Sequence, residues 1–299
     1  MGGGSSPAFP TNTVVVWDCK KRNEIARIEW STEIMSVKYL RNYLFIGVCG
    51  KVFVYDALTF AFIKSINDVF PQQICVTVTA PEPPAQEGVP PGWTGDGDAT
   101  LVTEGKDGRI KMTQFPARGE EAFETREYKA HEGAVVCVAV SADGRYCATA
   151  SEKGTLIRIF SKNTGEMLKK LYRGSVTATI KSITFSLDNA FLAVTSDRGT
   201  AHIFATGLAA AGSESSKVKN TGSMFWFTGV KVTQSEWSSC SVSVGNNSSL
   251  CFIKDSNGVT RLIVAKENGE YLSYIICINE KTITATEEGT PVNLLTFSV

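Results

Sequence analysis

One internal duplication constrains the fold of this chain more than any other feature. The segment GAVVCVAVSADGRYCATASEKGTLIRIF (133–160) aligns with TATIKSITFSLDNAFLAVTSDRGTAHIF (177–204), sharing S-x-D, A-x-x-S, K/R-G-T and I-F. The repeat length is about 45 residues, and each copy holds short alternating strands separated by turn residues. A period of about 40–45 residues carrying four strands is the mark of a β-propeller blade. ATLVTEGKDGRIKMTQF (99–115) and TRLIVAKENGEYLSYII (260–276) read as fainter copies, and MSVKYL, YLFIGV, KVFVYD and FAFIKSI form a meander between residues 35 and 66. No long segment has helical periodicity, so the chain is expected to be all-β, a WD-repeat-like propeller of four-stranded antiparallel blades.

Counting blades gives five complete units, near 35–67, 73–129, 134–171, 178–245 and 249 to the end. VVVW and EIARIEW read as the last two strands of an earlier unit. A ring of five and a half blades leaves a sheet edge open, which a propeller normally hides. Either the chain is truncated at its N-terminus or the count is short. The whole of 1–299 is expected to be one propeller domain, with a lead-in at 1–12, a Pro/Gly-rich loop at 80–98 and a longer loop at 205–234. Loops of that second length are usually functional or disordered.

Composition removes several function classes. With 299 residues, 43% of them hydrophobic, the chain can bury a sizeable core. Thirty basic residues balance thirty acidic ones, so there is no broad basic field for nucleic acid, and any anion must be caught locally. The eight cysteines never approach C-x-x-C spacing and most lie in apolar runs, which predicts reduced, buried thiols. No apolar run is long enough to span a membrane, and MGGGSSPAFPTN lacks the regions of a signal peptide, so a soluble intracellular protein is expected. Two histidines, no G-x-S-x-G, no metal-ligand spacing and no phosphate-cradling glycine loop argue against an enzyme, a metal or a cofactor.

ATASEKGTLIRIF, LYRG, FLAVTSDRGTAHIF and SEWS resemble the PROPPINs, phosphoinositide-binding seven-bladed propellers of autophagy and endolysosomal traffic. The resemblance runs from about residue 12 to residue 280, and GGGSSPAFPTNTVVVWD is similar to the loop and third strand of the family's second blade. It implies that the first blade and half of the second are absent. The family motif F-R-R-G carries two arginines that serve separate headgroup pockets. Here the match is Leu171, Tyr172, Arg173 and Gly174, so the second arginine is kept and the first replaced. The resemblance then implies one pocket from Arg173, Ser196, Thr200 and His202. It implies another from His131, Ser151, Thr155 and Arg158, weakened by Tyr172. The chemistry is apt, because a guanidinium offers phosphate a planar fork while hydroxyls and an imidazole donate to it. Each residue also has an ordinary reading: a solvated arginine, a histidine that orders its blade, hydroxyls that bond to turn backbone.

In the family the long loop leaving the H-I-F strand of the sixth blade dips into the bilayer. Residues 205–234 occupy that place, and Met224, Phe225, Trp226 and Phe227 are flanked by small residues, with Lys217, Lys219 and Lys231 nearby. MFWF fits either a membrane wedge or an ordinary packed strand. A weak headgroup pocket plus a wedge would satisfy the requirement of two signals for stable anchoring. Two functions stay open. One is a phosphoinositide effector, monomeric and cytoplasmic, bound peripherally to autophagosomal, endosomal or vacuolar/lysosomal membranes through phosphatidylinositol 3-phosphate or the 3,5-bisphosphate, with autophagy or endosomal protein partners. The other is a WD-repeat protein scaffold with weak or no lipid binding.

Overall fold

In the computed structural model the described residues are 9–40, 42–69, 75–78, 99–115, 124–208, 235–266, 268–279 and 282–293. The strands follow the repeat. β1 (Thr13–Asp18) and β2 (Asn23–Glu29) form a two-stranded antiparallel sheet, and β3 (Ile34–Leu40), β4 (Tyr43–Val48), β5 (Lys51–Asp56) and β6 (Phe62–Asn67) form the first full blade. The second full blade holds β7 (Cys75–Val78), β8 (Ala99–Glu104), β9 (Arg109–Phe115) and β10 (Thr125–Lys129). The third comprises β11 (Val135–Val140), β12 (Tyr146–Ser151), β13 (Leu156–Ser161) and β14 (Met167–Tyr172). β15 (Ile180–Phe185), β16 (Phe191–Ser196) and β17 (Thr200–Ala205) open the fourth. The chain next forms β18 (Ser235–Trp237), then β19 (Cys240–Ser243), which completes the fourth blade. β20 (Ser249–Lys254), β21 (Thr260–Ala265), β22 (Glu270–Asn279) and β23 (Thr282–Asn293) make the fifth. The molecule is an all-β propeller of four-stranded antiparallel blades.

The shared S-x-D motif has a local physical cause. Ser141 Oγ donates to Asp143 Oδ1 at 2.6 Å while accepting from the Tyr146 amide at 2.9 Å. Ser186 repeats this with Asp188 at 2.7 Å and the Phe191 amide at 2.9 Å. Each motif therefore closes a hairpin between the first and second strands of its blade, as side-chain bonding to nearby backbone predicts.

Strand alternation then sends one set of side chains to each neighbouring blade. Ile157, Ile159 and Leu171 of the third blade pack with Ile183, Leu192 and Phe204 of the fourth. Val102, Ile110 and Met112 of the second pack with Val138, Cys147 and Phe160 of the third. Further cores join the two-stranded sheet to the first blade, the first blade to the second, and the fourth to the fifth. Fully buried Phe45, Phe115 and Phe204 each contribute roughly 1.5–3 kcal/mol by leaving water.

Two expectations need correction. The thiols are not uniformly buried: Cys137 and Cys147 are, but Cys19, Cys49, Cys251 and Cys277 are exposed and Cys240 is half-buried. Apolar runs mark strands without saying which face meets a neighbour, and Cys251 alternates with buried Leu250 and Phe252. In addition, SEW does not extend the fourth blade. β18 pairs in parallel with β14, with Lys170 opposite Ser235, Leu171 opposite Glu236 and Tyr172 opposite Trp237, making the third blade five-stranded. The loop at 80–98 and the MFWF residues Met224, Phe225, Trp226 and Phe227 lie outside the described residues. No helix among the described residues is long and apolar enough to cross a membrane.

Candidate functional site

The duplicated blades create two comparable clefts, one between the second and third blades and one between the third and fourth. In the first, Arg158 of β13 stands across from Thr149 of β12 and from Lys170 of β14. Its Nη1 donates to the Ala130 carbonyl at 2.6 Å, while its buried Nε finds no acceptor. His131 is only 3% exposed, with Nε2 2.9 Å from Thr149 Oγ1. Burial, then the neighbouring Arg158 charge, lowers the His131 pKa to about 4, so the ring is neutral at pH 7. That contact ties the connector after β10 to β12 and gives His131 a role in ordering the third blade. Ser151 is buried, and Thr155 is half-buried at the turn before β13.

Tyr172, the residue in place of the family's first arginine, lies on the Arg158 face of the third blade. Directly opposed residues share a face, and so do residues two apart in a strand, which places Arg158, Lys170, Tyr172 and Trp237 together. Tyr172 stacks on Trp237 with centroids 5.5 Å apart and planes 22° from parallel, and Lys170 Nζ lies 5.6 Å from the Tyr172 ring centre. At position 172 this margin carries an aromatic ring, beside the cations Arg158 and Lys170.

The second cleft is built by the connector after β14 and the start of β17. Arg173 is 7% exposed. Its Nε donates to the Gly154 carbonyl at 2.6 Å and an Nη2 N–H donates to the Val176 carbonyl. Those bonds use two of five guanidinium N–H groups and fix the plane of the fork. Burial lowers the Arg173 pKa, Asp197 opposes that and Arg198 adds to it. His202 is half-buried, and its pKa is lowered by burial first and by the Arg173 charge second. Thr200 is half-buried on the same strand face as His202. Ser196 is fully buried, with Oγ accepting from the Arg198 amide at 3.3 Å, so its hydroxyl serves the turn. Thr200 and His202 thus share a strand face and the Arg173 charge reaches His202, while Ser196 is buried at the end of β16.

Sequence reasoning missed the serines of the next segment. Ser243 is directly opposite Thr200 and Ser241 opposite His202, both exposed and on the same face. Ser238 Oγ lies 3.3 Å from His202 Nδ1. The signal was the alternation in SSCSVSV, where Cys240 and Val242 pack inward between outward serines. No group of three or more His, Cys, Asp or Glu residues poised to hold a metal occurs among the described residues.

Comparison with known proteins bears on both clefts. The family model described as PROPPIN matches residues 119–276, just over half of the chain. SVP1-like protein 2 of Emericella nidulans is 30% identical over 205 residues, covering 68% of this chain and 58% of that protein. Autophagy-related protein 18e of Arabidopsis thaliana is 28% identical over 203 residues, covering 68% of this chain and 49% of its own. The chain thus spans about half the length of the curated relatives it matches. The structure of Kluyvelomyces marxianus Hsv2 superposes with a TM-score of 0.68 at 18% identity, over 95% of this chain and 79% of that one, which shows the shared fold. Propellers of this kind are not enzymes. With the two clefts inside the matched span, the chain belongs to the PROPPIN family.

Proposed function

We propose that the protein is a phosphoinositide-binding peripheral membrane protein of autophagy or endolysosomal traffic, and that the Arg173 cleft takes the phosphate of the headgroup. The observation that carries this reading is the face shared by Thr200, His202 and the exposed Ser241 and Ser243, with the Arg173 charge reaching His202. A phosphomonoester uses that set fully: the fork of Arg173 faces two oxygens, Thr200 donates its hydroxyl, and His202 donates a ring N–H. Phosphatidylinositol 3-phosphate and the 3,5-bisphosphate both present this group. The Arg158 cleft contributes less, because Tyr172 brings a ring already stacked on Trp237 where a cation would be needed.

Liposome flotation tests the reading, with vesicles of phosphatidylcholine alone or with phosphatidylinositol 3-phosphate. Wild type should float on the second and Arg173→Ala should lose that binding, with thermal melting run alongside because Arg173 also bridges two connector carbonyls. If wild type stays in the pellet fraction, or the variant floats equally well, the headgroup reading is wrong.

A protein-scaffold role has its own support at the other end of the chain. Phe62 is exposed and meets Phe53 and Tyr55 edge-on, with ring centres 6.3 and 5.7 Å away, while Trp30 meets Tyr55 edge-on and lies tilted against Phe53. Such aromatic groups suit protein docking. Loss of lipid binding in wild type would leave this reading in place.

A further inference from the structure

The short strand β18 touches both clefts, and alternation dictates what each receives. Tyr172 and Trp237 are opposed on the Arg158 face. Leu171 and Glu236 are opposed on the other face, and Ser238, one residue past the end of the strand, reaches His202 of the fourth blade. Side-chain contacts to both blades fasten this segment. Lys169 Nζ donates to Glu236 Oε1 at 2.8 Å, Trp237 stacks on Tyr172 at 5.5 Å, and Ser238 Oγ lies 3.3 Å from His202 Nδ1. Trp237 is 40% exposed, so the stack lies at the surface and is no part of a blade core.

We propose that Ser238 is a ligand-contacting residue of the Arg173 cleft and that Tyr172 and Trp237 are its positioning residues. The inference rests on the reading of that cleft as a phosphate site. A serine hydroxyl donates one hydrogen bond and accepts others, so beside His202 Nδ1 it pairs with the imidazole in either tautomer and in the protonated form. When a phosphate oxygen enters, the Ser238 O–H turns to it and His202 donates alongside. Ser238 is held between Trp237, paired with the third blade, and Ser239, whose amide donates to the Ile203 carbonyl of the fourth at 2.8 Å. Without the Trp237 stack, the segment keeps three parallel register positions on an edge strand, the Lys169–Glu236 ion pair and the Ser239 amide bond to the Ile203 carbonyl, so Ser238 loosens on its third-blade side. Tyr172 thereby acquires a task its sequence position did not suggest: it holds the neighbouring site's wall from the opposite face of the sheet.

Only two histidines occur in the chain, which makes the imidazoles direct reporters. The ring nitrogens of His202 and His131 are followed by NMR in wild type, Ser238→Ala, Trp237→Ala, Trp237→Phe, Tyr172→Phe and the Trp237→Ala/Ser238→Ala double variant. Without ligand, the His202 signals should move in Ser238→Ala and Trp237→Ala while those of His131 stay, and both phenylalanine variants should match wild type. Binding is then measured to phosphatidylcholine vesicles carrying phosphatidylinositol 3-phosphate, to soluble inositol 1,3-bisphosphate and to inorganic phosphate.

Ser238→Ala and Trp237→Ala should each weaken binding about threefold to tenfold, the size of one ordinary hydrogen bond, and the double variant should be no worse than the poorer single. Binding by the soluble probes as tight as by vesicles would identify free phosphate as the source, with the same residues engaged. If wild type binds none of the three probes, the phosphate reading and the ligand role of Ser238 fall together. If wild type binds and Arg173→Ala does not, but Ser238→Ala binds like wild type or the double variant shows multiplied losses, this inference alone is overturned. Unmoved His202 signals in Trp237→Ala would reject the positioning role regardless of ligand.

Discussion

The Arg158 and Arg173 clefts descend from the same blade plan and differ in how their cations are held. Both arginines donate to carbonyls of the connector entering a blade, Arg158 to Ala130 and Arg173 to Val176. In the alignment of the two copies Arg158 occupies the position of His202, while the structural His131 occupies that of Val176. The first cleft thus spends its histidine on Thr149 and keeps an arginine Nε without an acceptor, whereas the second keeps a half-buried histidine beside a row of hydroxyls. The lesson is that one blade plan can bury a histidine against a neighbouring strand or leave one half-buried beside exposed hydroxyls, depending on which repeat position carries it.

The most damaging way to break the comparison is at the turn supporting the second cleft. Gly154 has φ +60°, and a Cβ there would lie 1.8 Å from the Ala178 carbonyl oxygen. Gly154→Ala should cost about 3–5 kcal/mol and take the Arg173 site with it, whereas Gly174→Ala, where a Cβ meets nothing within 4 Å, should stay near wild type in a thermal melt. Equal melting of the two variants would show that the turn does not support the site.

Next in size is the pair of arginine deletions. Arg173→Ala should reduce vesicle binding about tenfold or more, the equivalent of one charge-assisted hydrogen bond, and Arg158→Ala about twofold or less. A reversed order would move the headgroup site to the first cleft.

Acid separates the two histidines. The folded-state pKa of His131 is depressed from 6.5 to about 4, so the unfolded chain binds the additional proton between those values. Its contribution to stability is whole above pH 6.5 and is lost as pH falls toward 4, by about 3 kcal/mol. His131→Asn should flatten that part of the stability profile. Ligand affinity should move the other way, rising as His202 becomes protonated and gains a second donor. Parallel loss of stability and affinity would contradict separate roles.

The smallest effect sharpens the role of Tyr172. Tyr172→Arg restores the family's charge at the first cleft, yet the side chain there stacks on Trp237, and a guanidinium can stack as well. Less than a twofold gain in vesicle binding is expected, and a larger gain would mean that the first pocket accepts a headgroup once the charge returns.

The blades were legible because their signals are local. Alternation and the S-x-D turns placed β11 to β17, and the joint spacing of K-G-T and R-G-T placed Thr155 and Thr200 at matching turns. The alliance of β14 with β18 left no local trace. It joins Tyr172 to Trp237 in parallel across most of a repeat and a half, and three residues carry no period. The burial of Ser196 was hidden for a different reason: a hydroxyl that caps its own turn and one that faces a ligand look identical in a motif, and only packing separates them. The exposed cysteines show the same limit, since membership of a strand does not name the face.

The parallel pairing of β18 also bears on how the ring comes apart. Residues 235–237 bond to the third blade while residues 240–243, three positions later, bond to the fourth. Two neighbouring sheets are therefore stitched by one short thread, and neither can open at its outer edge without pulling on the other. Propeller blades are otherwise natural units of local unfolding. Here amide protons of β14 and β17 should exchange as one cooperative block, slower than the edge strands of the remaining blades.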